Sequence, residues 1–236
     1  MTDIEMRAET PTAIPTPLIA LAVVAMLLVL GGLLFVPAGR LDWTQGWIYL
    51  LVLLAYVGSS WACLARWNPE LIEARMHFGP GTKTWDKVWA AVYAPVMVAV
   101  YVVAGLEVRD GVPDLPGLVW LAGLALFVPG SALLTWSMVV NPFFEKTVRI
   151  QTERGHRVID TGPYAYVRHP GYVGFAGWIL GTPLLLGSAW ALVPAALSVL
   201  GIVIRTALED RTLTAELAGY PEYAARVRYR LVPGVW

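Results

Sequence analysis

Charge is scarce in this chain of 236 residues. Only 14% are Asp, Glu, Lys or Arg, against about 25% in a soluble domain. Hydrophobic types make up 57%. One aqueous core of this size cannot hide so much apolar surface, and a bilayer is the better solvent. An excess of either sign is also missing, because 17 basic residues balance 17 acidic ones. The chain therefore lacks the electrostatic footprint of a nucleic-acid binder. A single cysteine, Cys63, excludes an internal disulfide. Three scattered histidines, His77, His156 and His169, show no metal-ligand spacing, so neither a metal nor nucleic acid is expected as a partner. The start of the chain lacks a basic stretch and a small-residue cleavage site. Asp3, Glu5 and Glu9 stand there against Arg7, which reads as a polar tail over residues 1–16 before a retained first span.

Long apolar runs are abundant. A span needs about 20 mostly apolar residues, and the sequence predicts four, over residues 17–36, 45–64, 88–106 and 118–140. Two shorter ones follow, over residues 171–186 and 190–204, separated only by Gly187, Ser188 and Ala189. That spacing predicts a tight helical hairpin. Residues 206–227 are polar and rich in Glu and Arg, with Leu208, Leu213, Leu217 and Tyr220 at helix-like intervals. They read as an amphipathic cytoplasmic helix at the membrane surface, broken at Gly219-Tyr220-Pro221. The expected fold is thus an all-α integral membrane protein of about six transmembrane helices.

Loop charge supports an even count. With the N-terminus inside, fifteen of the seventeen basic residues fall on one side, and only Arg40 and Arg109 fall on the other. The positive-inside rule then places both termini in the cytoplasm. Residues 17–140 form a four-helix membrane region, and residues 141–236 hold most of the cytoplasmic charge, so chemistry is expected in the latter.

The strongest local signal is Gly162-Pro163-Tyr164-Ala165-Tyr166-Val167-Arg168-His169-Pro170-Gly171-Tyr172, where a cytoplasmic loop enters a helix. Pro170 suits the first helical turn. Free N–H groups and the positive dipole end favour an anion there, with Arg168 and His169 as further donors. An anchor at headgroup level accounts for the same residues without any ligand. A second signal is Arg205 and Glu209, four apart and so on one helix face. They read either as a surface ion pair or as ligand-binding groups on a polar cavity. Gly171, Gly174, Gly177 and Gly181 favour close helix packing over a ligand slot. Arg226, Arg228 and Arg230 suit anionic lipid, and Trp43, Trp47, Trp85, Trp89 and Trp236 suit an interface belt.

Taken together, Gly162-Pro163-Tyr164, Arg168-His169-Pro170, Tyr172, Arg205, Glu209 with its acidic neighbour, Tyr220 and Tyr223 resemble the isoprenylcysteine carboxyl methyltransferase family. His156, Gly181-Thr182-Pro183 and Arg228-Tyr229-Arg230-Leu231-Val232-Pro233-Gly234 are similar to its bacterial members, as are Asn68-Pro69-Glu70, Trp85-Asp86 and Asn141-Pro142-Phe143-Phe144. The resemblance implies a cofactor pocket within residues 141–236, under a short helical hairpin, with S-adenosylmethionine as methyl donor. His156, Gly162, Pro163, Tyr164, Arg168, His169, Pro170, Tyr172 and Glu209 would bind the cofactor, with Arg205 and Glu209 catalytic. Two departures are present. Asp210 stands where the family often has a second Glu, and no Asn follows the Arg-His-Pro-x-Tyr motif as in eukaryotic members. The acceptor stays open between a carboxylate and a thiol on a lipophilic small molecule or lipidated partner, reached among membrane lipids. The competing readings are an NADPH-dependent membrane reductase related to sterol reductases and a non-catalytic membrane protein. The first is disfavoured by chain length, and the second by the lack of repeat symmetry or mid-span charge.

Overall fold

The computed structural model describes residues 16–76, 79–111 and 115–236, with side chains described from residue 21. Residues 1–15 of the polar tail and His77 lie outside them. Eight α-helices occur among the described residues: α1 (Thr16–Ala38), α2 (Thr44–Trp67), α3 (Pro69–Ala74), α4 (Thr84–Arg109), α5 (Gly117–Val140), α6 (Pro170–Leu185), α7 (Leu192–Glu216) and α8 (Tyr220–Arg226). Single 3-10 turns at Thr152–Arg154 and Gly162–Ala165 shape the long connection between α5 and α6.

Helices α1, α2, α4, α5 and α7 are long and apolar enough to cross a membrane. The sixth expected span, α6, has 16 residues and so rises only about 24 Å, less than the hydrocarbon thickness of about 30 Å. It nevertheless runs from one end of the bundle to the other. At its start Gly171 lies against Ser137 near the end of α5. At its far end the Gly187 carbonyl accepts a hydrogen bond from Leu115 N at 3.2 Å, just before α5 begins. Glu107 near the end of α4 reaches the same corner, where it accepts hydrogen bonds from the Ser188 hydroxyl and from Trp190 N. Among the described residues five helices are thus long and apolar enough to span alone, and the shorter α6 packs along them.

The α5–α6 contact runs backbone to backbone, and glycine makes it so. A Cβ on Gly130 would sit 2.7 Å from Gly174 O, and one on Gly174 would sit 2.5 Å from Leu134 N. Gly181 is held 2.7 Å from Gly123 O in the same sense. Small residues of this kind let membrane helices approach backbone to backbone, so close packing is the outcome for this glycine series. The core beside it is aromatic, with Tyr49 edge-on to Phe127 and its hydroxyl 3.3 Å from Tyr101 and 3.4 Å from Thr182. Hydroxyls along the helices bond back to carbonyls four residues earlier, as Ser137 does to Leu133 and Ser198 to Pro194. That leaves fewer polar groups facing hydrocarbon.

One expectation is corrected. No separate surface helix covers residues 206–227. Instead α7 runs unbroken to Glu216, and the chain turns at Leu217–Gly219 before α8, with Gly219 at φ 79°. No glycine or proline lies between Ile202 and Ala218, so nothing in the backbone stops the helix where its apolar character fades. The long helix carries Arg205, Glu209 and Asp210 beyond its apolar first half.

Candidate active site

Asp210 is the centre of the charged end. It is buried, and its two oxygens accept hydrogen bonds from Arg168 Nε at 2.7 Å and Nη2 at 3.0 Å, from Arg230 Nε at 2.7 Å and from the Tyr220 hydroxyl at 2.8 Å. His169 Nε2 lies 3.3 Å away. Burial, and then Asp210, push the Tyr220 hydroxyl far above the ordinary tyrosine range, so it is a donor at any working pH. The C-terminal segment closes on this cluster. Arg168 Nη1 donates to the carbonyls of Val227 and Arg228, both at 2.8 Å. The backbone N–H groups of Arg168 and His169 donate to Tyr229 O and Arg230 O, both at 2.9 Å. These two N–H groups, just before α6, are thus engaged by the chain itself. All three nitrogens of the Arg168 guanidinium are engaged as well.

Just before Asp210 on α7, Glu209 and Arg205 share a face as expected, but they do not pair with each other. Glu209 accepts a hydrogen bond from the Tyr172 hydroxyl of α6. The Tyr172 ring stacks on His169, with centroids 5.7 Å apart and planes 7° from parallel. Arg205 makes a two-bond contact to Asp86 of α4, Nε at 2.8 Å and Nη2 at 3.1 Å. Its guanidinium also lies 4.7 Å from the Trp89 ring centroid. Asp86 accepts Val148 N at 2.8 Å, and Arg205 Nη2 donates to Lys146 O at 2.8 Å. The Asp86–Arg205 pair therefore pins the 146–148 strap against α4 and α7. Sequence reasoning noted Asp86 only within the family resemblance, because its partner is 119 residues away.

Above this floor lies a cavity of about 460 Å³. It runs from aromatic and apolar side chains of the spans, Tyr56, Tyr93, Phe175, Trp178 and Ile202, to the polar groups of Glu209, His156 and Tyr223. His156, Tyr164, Arg168, His169, Tyr172, Arg205 and Glu209 from the expected set line it. Gly162, Pro163 and Pro170 are not in its wall. Gly162, at φ 57°, and Pro163 form the turn that seats Tyr164, while Pro170 opens α6. The wall also takes residues from α2, α4 and α5, together with Arg75 beside α3. The pocket is thus not confined to residues 141–236. His156 accepts a hydrogen bond from Gln151 N at its Nδ1, 3.3 Å away, which leaves Nε2–H as a donor. Its ring packs on Phe143. Burial, reinforced by Arg149, holds its pKa down to about 4, so the imidazole is neutral at physiological pH. No group of three or more His, Cys, Asp or Glu that could hold a metal ion occurs among the described residues.

Known proteins resemble parts of this chain. A solved structure of the eukaryotic intramembrane Ras methyltransferase ICMT aligns over 94% of this chain and 88% of its own, with a TM-score of 0.48 and 16% identity. The protein-S-isoprenylcysteine O-methyltransferase of Schizosaccharomyces pombe is 49% identical over 68 residues, which is 28% of this chain and 29% of that protein. The human protein of the same name is 31% identical over 125 residues, 49% of this chain and 42% of that protein. The matched stretches thus span less than half the length of these relatives. Residues 123–215, which carry α6, the α5–α6 glycine contact, Arg205, Glu209 and Asp210, match the model of the Isoprenylcysteine carboxyl methyltransferase (ICMT) family.

Proposed function

We propose that this chain is an integral-membrane methyltransferase that uses S-adenosylmethionine to methylate a carboxylate or thiol of a lipophilic acceptor. One observation carries the reading: a single cavity joins aromatic side chains of the spans to Glu209 and His156, within the stretch that matches the family model or beside it. Its volume falls in the range of about 300–1,000 Å³ usual for small-molecule sites. The donor set suits the cofactor. Glu209 accepts hydrogen bonds from ribose hydroxyls or an ammonium group, and the neutral His156 offers a donor without adding charge.

Bound there, S-adenosylmethionine supplies a methyl group on a sulfonium whose positive charge disappears on transfer. An acceptor carboxylate is already ionised at neutral pH, its pKa being about 4. It needs no general base: its oxygen lone pair forms the O–C bond as the S–C bond breaks, the electron pair stays on sulfur, and no proton moves. What the protein contributes is alignment and the exclusion of water. The strap over residues 146–148, pinned by Asp86 and Arg205, closes one side, and Tyr172 fixes Glu209. The apolar end of the cavity lies among membrane helices, which suits an acceptor arriving from the bilayer.

Calorimetric titration with S-adenosylhomocysteine and with NADPH tests the reading. Binding of the first is expected, and binding of NADPH alone would turn the assignment toward a reductase. Glu209→Gln is expected to weaken S-adenosylhomocysteine by about 1.5–3 kcal/mol, the scale of a hydrogen bond to a charged group. Unchanged affinity would remove Glu209 from the donor site. The charged end is proposed to face the cytoplasm together with both termini, because the basic residues gather there. A reporter active only in the cytoplasm, fused after Trp236, is expected to be active, and a silent one would reverse this orientation.

A further inference from the structure

The arginines that line the cavity are not equivalent. Arg149 pairs with Glu145 at 2.7 Å, Arg168 with Asp210 at 2.7 Å and Arg205 with Asp86 at 2.8 Å. Arg157 is exposed to water. Arg75, which ends α3, is half-buried in the cavity wall and makes no ion pair among the described residues. One hydrogen bond holds it, from Nη1 to Phe144 O at 2.9 Å, together with a contact 5.8 Å from the Phe144 ring centroid. Glu145, the next residue along, is engaged at both oxygens by Arg149, at 2.7 and 2.8 Å. Burial draws the Arg75 guanidinium below its ordinary pKa; Tyr56 opposes the lowering, Arg205 adds to it, and Glu145 offsets it only in part. A cation taken from water without a counter-ion is costly, and an arriving anion relieves that cost.

From this contrast we propose that Arg75, rather than Arg205, receives the carboxylate of the lipophilic acceptor. Arg205 already has its carboxylate in Asp86, in the two-bond geometry a guanidinium prefers. Arg75 presents a flat fork of N–H donors that matches a carboxylate in the same way. Tyr56 and Leu134 line the cavity with it and offer apolar surface to the attached chain. A thiol, neutral until ionised, gains little from a fixed guanidinium. The inference rests on the methyl-transfer reading for the reaction but not for the binding.

The test is equilibrium binding of radiolabelled N-acetyl-S-farnesylcysteine and of its methyl ester to the purified full chain in detergent. The native protein is expected to prefer the acid at least tenfold. Arg75→Gln is expected to bring the ratio to about one while leaving S-adenosylhomocysteine affinity unchanged. Arg75→Lys, which keeps the charge, should retain part of the preference. Should the Gln variant fail to fold, Arg75→Met, which keeps an unbranched stem against Phe144, gives the same readout. Equal binding of acid and ester by the native protein, or a preference that survives Arg75→Gln, overturns the proposal and leaves Arg75 as an anchor for Phe144. An acid preference that depends on Arg75 in a protein with no affinity for S-adenosylhomocysteine would uphold the anion site and remove the methyltransferase reading.

Discussion

Replacing Asp210 by Ala is expected to cost the protein both its charged end and its donor affinity. Arg168 and Arg230 each place Nε 2.7 Å from this carboxylate, and the Tyr220 hydroxyl donates to it at 2.8 Å. Without it, two guanidinium groups face each other in a site where Arg168 has little access to water. Removing one partner of a buried pair costs about 3–5 kcal/mol, because the remaining charge is left uncompensated. Arg168 also holds the Val227 and Arg228 carbonyls, and His169 N holds Arg230 O. The C-terminal segment is therefore expected to come loose with the ion pair. His169 and Tyr220 line the cavity, so S-adenosylhomocysteine affinity should fall in the same variant. Asp210→Asn separates charge from shape: it keeps the volume and one acceptor oxygen, and should show an intermediate loss. Thermal melting in detergent, measured beside the titration, decides the matter. An Asp210→Ala protein that melts and binds as the native one does would mean that the cluster is an ornament of the charged end.

A second large effect is expected at the α5–α6 seam. The Cβ of Gly174→Ala would meet Leu134 N at 2.5 Å and Gly130 O at 2.6 Å. Both are backbone atoms of α5, so no side chain can swing aside, and the helices must separate. Overpacking of this kind costs about 1–3 kcal/mol, and Gly174→Leu should exceed the Ala variant. The displacement carries Tyr172 and Phe175, both in the cavity wall, away from α7, so turnover should fall together with stability. Gly31→Ala and Gly58→Ala are the controls, since a Cβ at either position meets nothing within 4 Å. Equal melting temperatures for Gly174→Ala and these controls would show that the seam has slack the contacts conceal.

The two substitutions sit at opposite extremes of what a sequence displays. The glycine series was visible as a pattern along one helix, and so was its meaning, because small residues at helical spacing have few other uses in a membrane. The apolar runs were visible for the same reason: hydrocarbon imposes length and composition on each span independently of its neighbours. The helix α6, expected as a sixth span, has 16 residues, fewer than a lone span requires. The extent of α7 is not legible in the same way, because hydrophobicity fades near Ile204 while no glycine or proline stops the helix before Glu216.

Local chemistry therefore determined, without any coordinates, that the chain is helical, belongs in a bilayer and concentrates its charge at one end. It also brought forward Arg168, His169, Tyr172, Arg205 and Glu209 as the residues of interest. Tertiary structure alone decided what each of them bonds to. Arg205 answers to Asp86 across 119 positions rather than to Glu209 four positions on, and Arg168 answers to Asp210 across 42. Arg75 gains its significance from the ion pair it lacks among the described residues. Helical spacing reports only which side chains share a face. Which charge meets which depends on how separate helices pack, and a buried ion is stabilised only by the partner that packing brings within about 3 Å.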